Sequence, residues 1–268
     1  MEINRFKELM NEEGLEVEEK IANKYGYDEM SFVIGSGNTR PTVYESNIVK
    51  MNEEQVKDMI VNQIKNGVPD FDPDELTDKD YILRNVTMAI RHSTTDNSIL
   101  KLKIRGDLEV YFRVKVEVNS NNGDIGSYKL TDEIINKAGL TKQEIYYKAE
   151  ENTSKESEII SMNEMLKEMS GMDIPEEEGM PRMYVATNKS RVNGAAIIAC
   201  EDVLENFCRE KEIKGVVIIP SSIHEILLLP IDYNFNEDEI NNMIQEVNSN
   251  EVSENERLSD HVYYYYAG

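Results

Sequence analysis

The sequence predicts an α+β protein built as two small domains, and three observations carry that reading. Segments of apolar and polar alternation stand beside segments whose apolar residues recur at helical spacing. The chain of 268 residues is long for one core and comfortable for two, and 40% hydrophobic residues are enough to build them. Between the two parts, Ser170-Gly-Met-Asp-Ile-Pro-Glu-Glu-Glu-Gly-Met-Pro181 combines two Gly, two Pro and an acidic run without periodicity. The expected organisation is an amino-terminal α+β domain at 1–169, an acidic Pro/Gly linker at 170–182 and a carboxy-terminal domain at 183–268.

The amino-terminal elements follow in order. Ile3, Phe6, Leu9 and Met10 share one helical face, Val17 and Ile21 continue the stripe past Gly14, and Gly26 ends it. Phe32-Val-Ile34 and Pro41-Thr-Val-Tyr44 read as short strands joined through Gly35-Ser-Gly-Asn38. Val56, Met59, Ile60 and Ile64 mark a second helix, closed by Gly67 and Pro69. Val86, Met88 and Ile90 alternate with Thr87, Ala89 and Arg91, and the alternation returns from Leu108 to Val118. Both are half-buried strands of an antiparallel sheet, with Glu109, Arg113, Lys115 and Glu117 expected on a wet face. Asn121-Asn-Gly123 is a turn signal, and Thr141-Lys-Gln-Glu144 is a capping box that opens another helix.

The carboxy-terminal part reads as strand Met183 to Thr187, helix Ala195 to Lys211, strand Gly215 to Pro220, strand His224 to Leu229, helix Glu237 to Val247 and strand Val262 to Tyr266. That β-α-β-β-α-β succession is the ferredoxin-like order, with an antiparallel sheet. Cys200, Val203, Leu204, Phe207 and Cys208 give the first helix one face for a sheet, and Ile240, Met243, Ile244 and Val247 do the same for the second. Asn236 with Glu239 forms its amino-terminal cap.

Composition excludes several functions. With 29 Lys+Arg against 52 Asp+Glu, the formal charge of −23 repels phosphate backbones and anionic membranes, so neither direct nucleic-acid binding nor membrane attachment is expected. No apolar run is long enough to span a bilayer and no signal-peptide core follows Met1, which leads to the expectation of a cytoplasmic protein. Cys200 and Cys208, eight residues apart on one helix, lie about 12 Å apart, too far for a disulfide, and are read as reduced core thiols.

The strongest candidate for chemistry is Pro220-Ser-Ser-Ile-His-Glu225, which places Ser221, Ser222 and His224 beside an apolar strand. A serine relay needs an acid on the far imidazole nitrogen, yet Glu225 points away from His224 if both lie in a strand, and no Gly-x-Ser-x-Gly elbow supplies oxyanion donors. A Pro-Ser-Ser turn explains both hydroxyls. No metal is expected: Leu228 stands where His-Glu-x-x-His needs its second histidine, and Asp70-Phe-Asp-Pro-Asp74 has Glu75 and Tyr81 where a calcium loop needs glycine and a bidentate acid. The histidines at 92, 224 and 261 are scattered. No cofactor is expected either, because Gly35-Ser-Gly-Asn-Thr-Arg40 has Arg40 in place of the third dinucleotide-loop glycine and no Gly-Lys-Ser/Thr occurs. In the run Tyr263 to Tyr266, Tyr263 and Tyr265 share a face and are candidates for a partner-binding edge.

Taken together, Pro41-Thr-Val-Tyr44, Ser161-Met-Asn-Glu-Met-Leu-Lys-Glu-Met169, Met183-Tyr-Val-Ala-Thr-Asn188, Asn193-Gly-Ala-Ala196, Pro220-Ser-Ser-Ile-His-Glu225, Glu246-Val-Asn248 and Leu258-Ser-Asp-His-Val-Tyr263 resemble the domain of unknown function 5688, an uncharacterised family of Firmicutes proteins. Ile197-Ile-Ala-Cys200 departs from that pattern, which has Tyr-Pro before the helix. The resemblance implies a cytoplasmic accessory protein and brings no substrate, cofactor or catalytic residue. The leading expectation is a non-enzymatic module that binds an unidentified protein through its carboxy-terminal sheet or acidic surface. A hydrolase using Ser221 or Ser222 with His224 is the alternative, and an acidic inhibitor of a nucleic-acid-binding protein is the third.

Overall fold

A computed structural model describes residues 1–24, 27–36, 40–60, 64, 74–95, 97–117, 125–171, 182–233 and 235–268. The described elements begin with α1 (Ile3–Glu12), β1 (Val17–Lys24), β2 (Tyr27–Ile34), β3 (Thr42–Tyr44), α2 (Glu45–Ile48) and α3 (Glu53–Met59). Next come α4 (Lys79–Asn85), β4 (Val86–His92), β5 (Lys101–Ile104), β6 (Leu108–Glu117), β7 (Ile125–Lys129), α5 (Asp132–Lys137), α6 (Lys142–Glu156), β8 (Ser157–Ser161) and α7 (Met162–Ser170). The last are β9 (Tyr184–Asn188), α8 (Glu201–Lys211), β10 (Gly215–Pro220), β11 (Ile226–Pro230), α9 (Glu237–Asn250) and β12 (Tyr263–Tyr266). Helices with antiparallel sheets make the chain α+β. Two compact units emerge, Met1–Asp78 with Val116–Gly126, and Lys79–Lys115 with Ser127–Gly268.

In the first unit, Phe6, Leu9 and Met10 of α1 pack with Phe32 and Ile34 of β2 and with Val56 and Met59 of α3. The Phe6 and Phe32 rings meet edge to face at 5.9 Å. An Asn52–Gln55 capping box opens α3. Helix α1 stops before Gly14, whose φ of +72° turns the chain while the Leu15 N–H returns to the Met10 carbonyl at 2.9 Å. Val17 and Ile21, expected to continue the helix, therefore lie in β1, paired with Ile34 and Met30. Residues four apart share a face in a strand as well as in a helix, so spacing alone does not separate the two, and Ile21 ends up 72% exposed. The expected hairpin is present, with Phe32 opposite Val43. Gly26, Gly67, Pro69 and the 121–123 turn lie outside the described residues.

The second unit holds two sheets, one of order β4-β6-β5 with β7 beside β6, the other of order β12-β10-β11-β9-β8. In the first, Val86, Met88, Val110, Phe112 and Val114 face helices α5 and α6. Thr153 of α6 ties the layers together, its hydroxyl accepting from the Met88 N–H at 2.9 Å and donating to the Ala149 carbonyl at 2.7 Å. The Thr141–Glu144 box opens α6 as expected. The opposite face is not wet throughout: Glu109 is 3% exposed and pairs with Arg91, 4% exposed, directly across the ladder. Burial of that carboxylate is offset because its partners are also inside.

In the five-stranded sheet, Val216 and Ile218 of β10 face one core and Val217 the other, so apolar layers cover both sides. The β-α-β-β-α-β succession is present, but the sheet order differs from a ferredoxin-like sheet, where the last strand lies beside the first. Here β12 pairs with β10, and β8 occupies the edge of β9. That same pairing alters the domain boundary: β8 before the expected linker and β9 after it belong to one sheet and one unit, and 172–181 lie outside the described residues. Helix α8 starts at Glu201 rather than Ala195, because Gly194–Ala199 form a 3-10 turn that is buried from Gly194 to Ile198. Both cysteines are free and buried, and burial pushes both thiols up to about 11.

Gly194 sits where a Cβ would lie 2.4 Å from the Thr187 hydroxyl, 2.6 Å from the His224 carbonyl and 2.7 Å from the Asn188 nitrogen. Two of those atoms are backbone and cannot rotate away. Gly194→Ala should therefore destabilise the chain by about 1–3 kcal/mol. A melting curve superimposable on the parent's would show that the turn is not packed in this way.

Candidate functional site

The segment after β10 folds as a tight loop before β11, so His224 lies in a turn and not in the strand expected to begin with it. The Ser222 N–H donates to the Glu225 carbonyl at 3.1 Å, closing the turn, and the Ser222 hydroxyl accepts from the His224 N–H at 3.1 Å. Ser221 donates to the Glu225 carboxylate at 3.4 Å. Both hydroxyls thus serve the loop that carries them. The imidazole turns elsewhere: Nδ1 accepts from the Asn193 N–H at 3.3 Å and Nε2 lies 3.7 Å from the Glu256 carboxylate. Asn193 adopts a left-handed φ of 57°, which aims its N–H at the ring. Among the described residues no hydrogen bond joins either serine hydroxyl to the His224 imidazole, so Ser221, Ser222 and His224 share a loop without forming a nucleophile and its base.

A second polar centre forms around Asp107, which follows the Arg105-Gly106 turn between β5 and β6. Its carboxylate accepts from the Tyr263 hydroxyl at 2.8 Å and the Ser259 hydroxyl at 2.9 Å. His261 Nε2 stands 3.4 Å away and His92 Nδ1 3.8 Å, the latter also 3.1 Å from the Leu258 carbonyl. Burial alone would raise the Asp107 pKa, but the Tyr263 and Ser259 hydrogen bonds with the nearby His261 outweigh it and hold the carboxyl below its usual range. Burial and the Asp107 partner push the Tyr263 phenol up, so it remains a donor. Two of the scattered histidines therefore meet, and the third does not. Asp107 itself carried no signal, because its partners lie more than 150 residues further along the chain.

A third centre lies inside the first sheet of the same unit. Arg91 Nε donates to Glu109 at 2.7 Å, Lys101 approaches the other oxygen at 3.1 Å, and Thr94 donates to the same carboxylate at 2.9 Å. Desolvation opposes the charge of Glu109, yet these bonds keep its pKa lowered. Among the described residues no group of three or more His, Cys, Asp or Glu is placed to hold a metal ion, and no helix is long and apolar enough to cross a membrane.

Tyr263 does not present an interface: it is 6% exposed and packs inside the core with its hydroxyl on Asp107. Tyr265 is half-buried and donates to Glu205 at 2.8 Å. The outer edge of β12 is closed in part by side chains. Since the Ala267 N–H donates to the Lys214 carbonyl, the backbone groups of Val262, Tyr264 and Tyr266 point away from β10. Asn241 accepts from the Val262 N–H at 3.0 Å, and Arg105 donates to the Tyr264 carbonyl at 2.8 Å. On the opposite edge, the outward N–H of Ser157 donates to Ser154 and that of Ser161 to the Glu164 carboxylate at 2.9 Å, leaving Ile159 as the open rung of β8 among the described residues.

Two outcomes follow. Ser221→Ala and Ser222→Ala should each lower stability by about 0.5–2 kcal/mol, and a serine-directed fluorophosphonate should leave both residues unlabelled. Stoichiometric labelling lost in His224→Ala, at an unchanged melting temperature, would establish a nucleophile instead. For Asp107, a folded pKa below the ordinary 3.8 gives a stabilisation that is fully present above 3.8 and lost as pH falls through the lower folded value. Asp107→Asn should therefore cost about 1–3 kcal/mol at neutral pH, with the gap to the parent closing in acid. A gap that stays constant down to acid unfolding would contradict this.

Comparison with curated proteins and with solved structures gives no match. The model of the family described as a family of unknown function, DUF5688, matches residues 4–267. That match spans both units and every motif quoted above, and the chain belongs to this family.

Proposed function

We propose that the chain is a non-enzymatic cytoplasmic accessory protein that binds a basic partner protein through the acidic surface around α9. The observation that carries this reading is local. Residues 225–260 hold ten acidic side chains against one basic, Arg257, and within them Met243 and Val247 stand 62% and 44% exposed. A uniformly solvating surface would mix both signs of charge. An acidic field with apolar residues at its centre instead attracts a cationic protein surface and gives it something to bury.

Two further features favour this surface over the alternatives. At the edges of the five-stranded sheet the Val262 and Ser161 N–H groups and the Tyr264 carbonyl are already engaged, so strand addition would have to displace those bonds. The hydroxyls and imidazole that a hydrolase would use are engaged in holding the 221–225 loop. Inhibition of a nucleic-acid-binding protein is a special case of the same surface, with the acidic residues occupying a basic groove.

Affinity isolation of the full chain from its native lysate, with elution by increasing salt, tests the reading. The parent should retain basic proteins that Glu246→Lys/Glu251→Lys loses with no fall in melting temperature. Identical retention by parent and variant would remove the acidic surface from consideration.

A further inference from the structure

We infer that α9 carries a docking stripe for a basic amphipathic helix of another protein. This rests on the protein-binding reading above and names the partner's chemistry. Helix α9 seats Ile244 in the core beneath it, and Asn248 is buried with its amide donating to the Ser259 carbonyl at 3.1 Å and the Asp260 carboxylate at 2.8 Å. Asn241, by its bond to Val262, faces β12. At about 100° per residue, these positions fix which flank of the helix is free.

Met243 and Val247, one turn apart, lie along that flank, and Glu239 and Glu246, one turn before and one turn after Met243, border it on the side away from Ile244. All four are exposed. The rest of the outward surface adds Glu237 and Asp238 in the first turn and is otherwise neutral and polar, with Asn242, Gln245 and Ser249. The helix has no lysine or arginine. The apolar pair thus has carboxylates along one side, and the helix itself places no cation beside it. Methionine adapts its shape to different apolar partners at low cost.

The occupant's secondary structure follows from hydrogen bonding. An extended peptide laid across Met243 and Val247 would desolvate backbone groups that α9 cannot satisfy, since its own backbone is engaged along its length. A helix brings its backbone already paired, matches an i, i+4 apolar pair with its own stripe, and can carry Lys or Arg to Glu239 and Glu246. Nucleic acid and anionic membranes are repelled by the same carboxylates.

Fluorescence anisotropy with the full chain tests this. The probe is a synthetic peptide of about 18 residues with Leu at i, i+3, i+4 and i+7 and Lys elsewhere, compared with a scrambled peptide of identical composition. The amphipathic peptide should bind saturably and the scrambled one at least about tenfold more weakly. Met243→Ser/Val247→Ser should reduce affinity about tenfold or more at an unchanged melting temperature, and Glu239→Gln/Glu246→Gln should flatten the salt dependence. Equal binding of both peptides, or indifference to Met243→Ser/Val247→Ser, would overturn the helix stripe while leaving the acidic surface in place. If neither cationic peptide binds, both readings fall.

Discussion

The second unit depends on a backbone approach that only glycine permits. Gly194 rests against Thr187, Asn188 and the His224 carbonyl, and the 3-10 turn it begins runs between two apolar layers. A 3-10 turn has three residues per turn, so residues three apart project alike. Ala195 and Ile198 enter the core of the five-stranded sheet, while Ala196 and Ala199 enter the core of the other sheet. An α-helix over the same residues would rotate successive turns by about 300° for each three residues, so the two faces would drift out of alignment with the layers. The turn therefore supplies side chains to both cores, Ile197 joining that of the five-stranded sheet and Cys200 that of the other, and α8 begins only after Cys200.

The reactive appearance of the loop chemistry follows from the same crowding. Loops that close on a buried turn must find partners for their backbone groups without water. The Thr187 hydroxyl donates to the His224 carbonyl at 2.8 Å, the Ile223 carbonyl accepts from Ala195 at 3.3 Å, and the Ile223 N–H donates to the Glu256 carbonyl at 2.9 Å. Residues 256–263 then carry Glu256 to His224 and Ser259, His261 and Tyr263 to Asp107. Hydroxyls, imidazoles and carboxylates are the side chains able to supply such bonds in short loops, so their density near 221–225 and 258–263 reports packing demand as readily as catalysis.

What was legible in the sequence was local. Alternation located β4 and β6, and cap chemistry placed α6 at Thr141 and α9 at Asn236, whose side chain accepts from Asp238 at 3.1 Å. Where two periodicities coincide, as for Val17 and Ile21, the left-handed Gly14 decided the outcome and spacing did not. Glu109 was expected in water because alternation identifies the face of a strand but not what covers it; Arg91, Lys101 and Thr94 cover it. The sheet order and unit boundary were set by β8, a five-residue strand of mixed Ser, Glu and Ile whose pairing across residues 172–181 has no local signature. Asp107 shares that limit, being defined by partners that meet only after folding.

Helix α9 is where charge and local stability disagree. Glu237, Asp238 and Glu239 in its first turn complement the positive end of the helix dipole. Its last turn has no basic residue and its C-cap is Glu251, with further acids at 254 and 256, an arrangement that costs about 0.3–1 kcal/mol for each carboxylate near the negative end. Helix α8 of the same chain does the opposite, with Glu201 and Asp202 first and Arg209 and Lys211 last. Packing does not require Glu251 at the α9 end, since the buried contacts there are made by Asn248 and Ile244. Cations brought by a partner would relieve both the mutual repulsion and the dipole mismatch, so part of the binding free energy would come from removing a cost already present in the free protein.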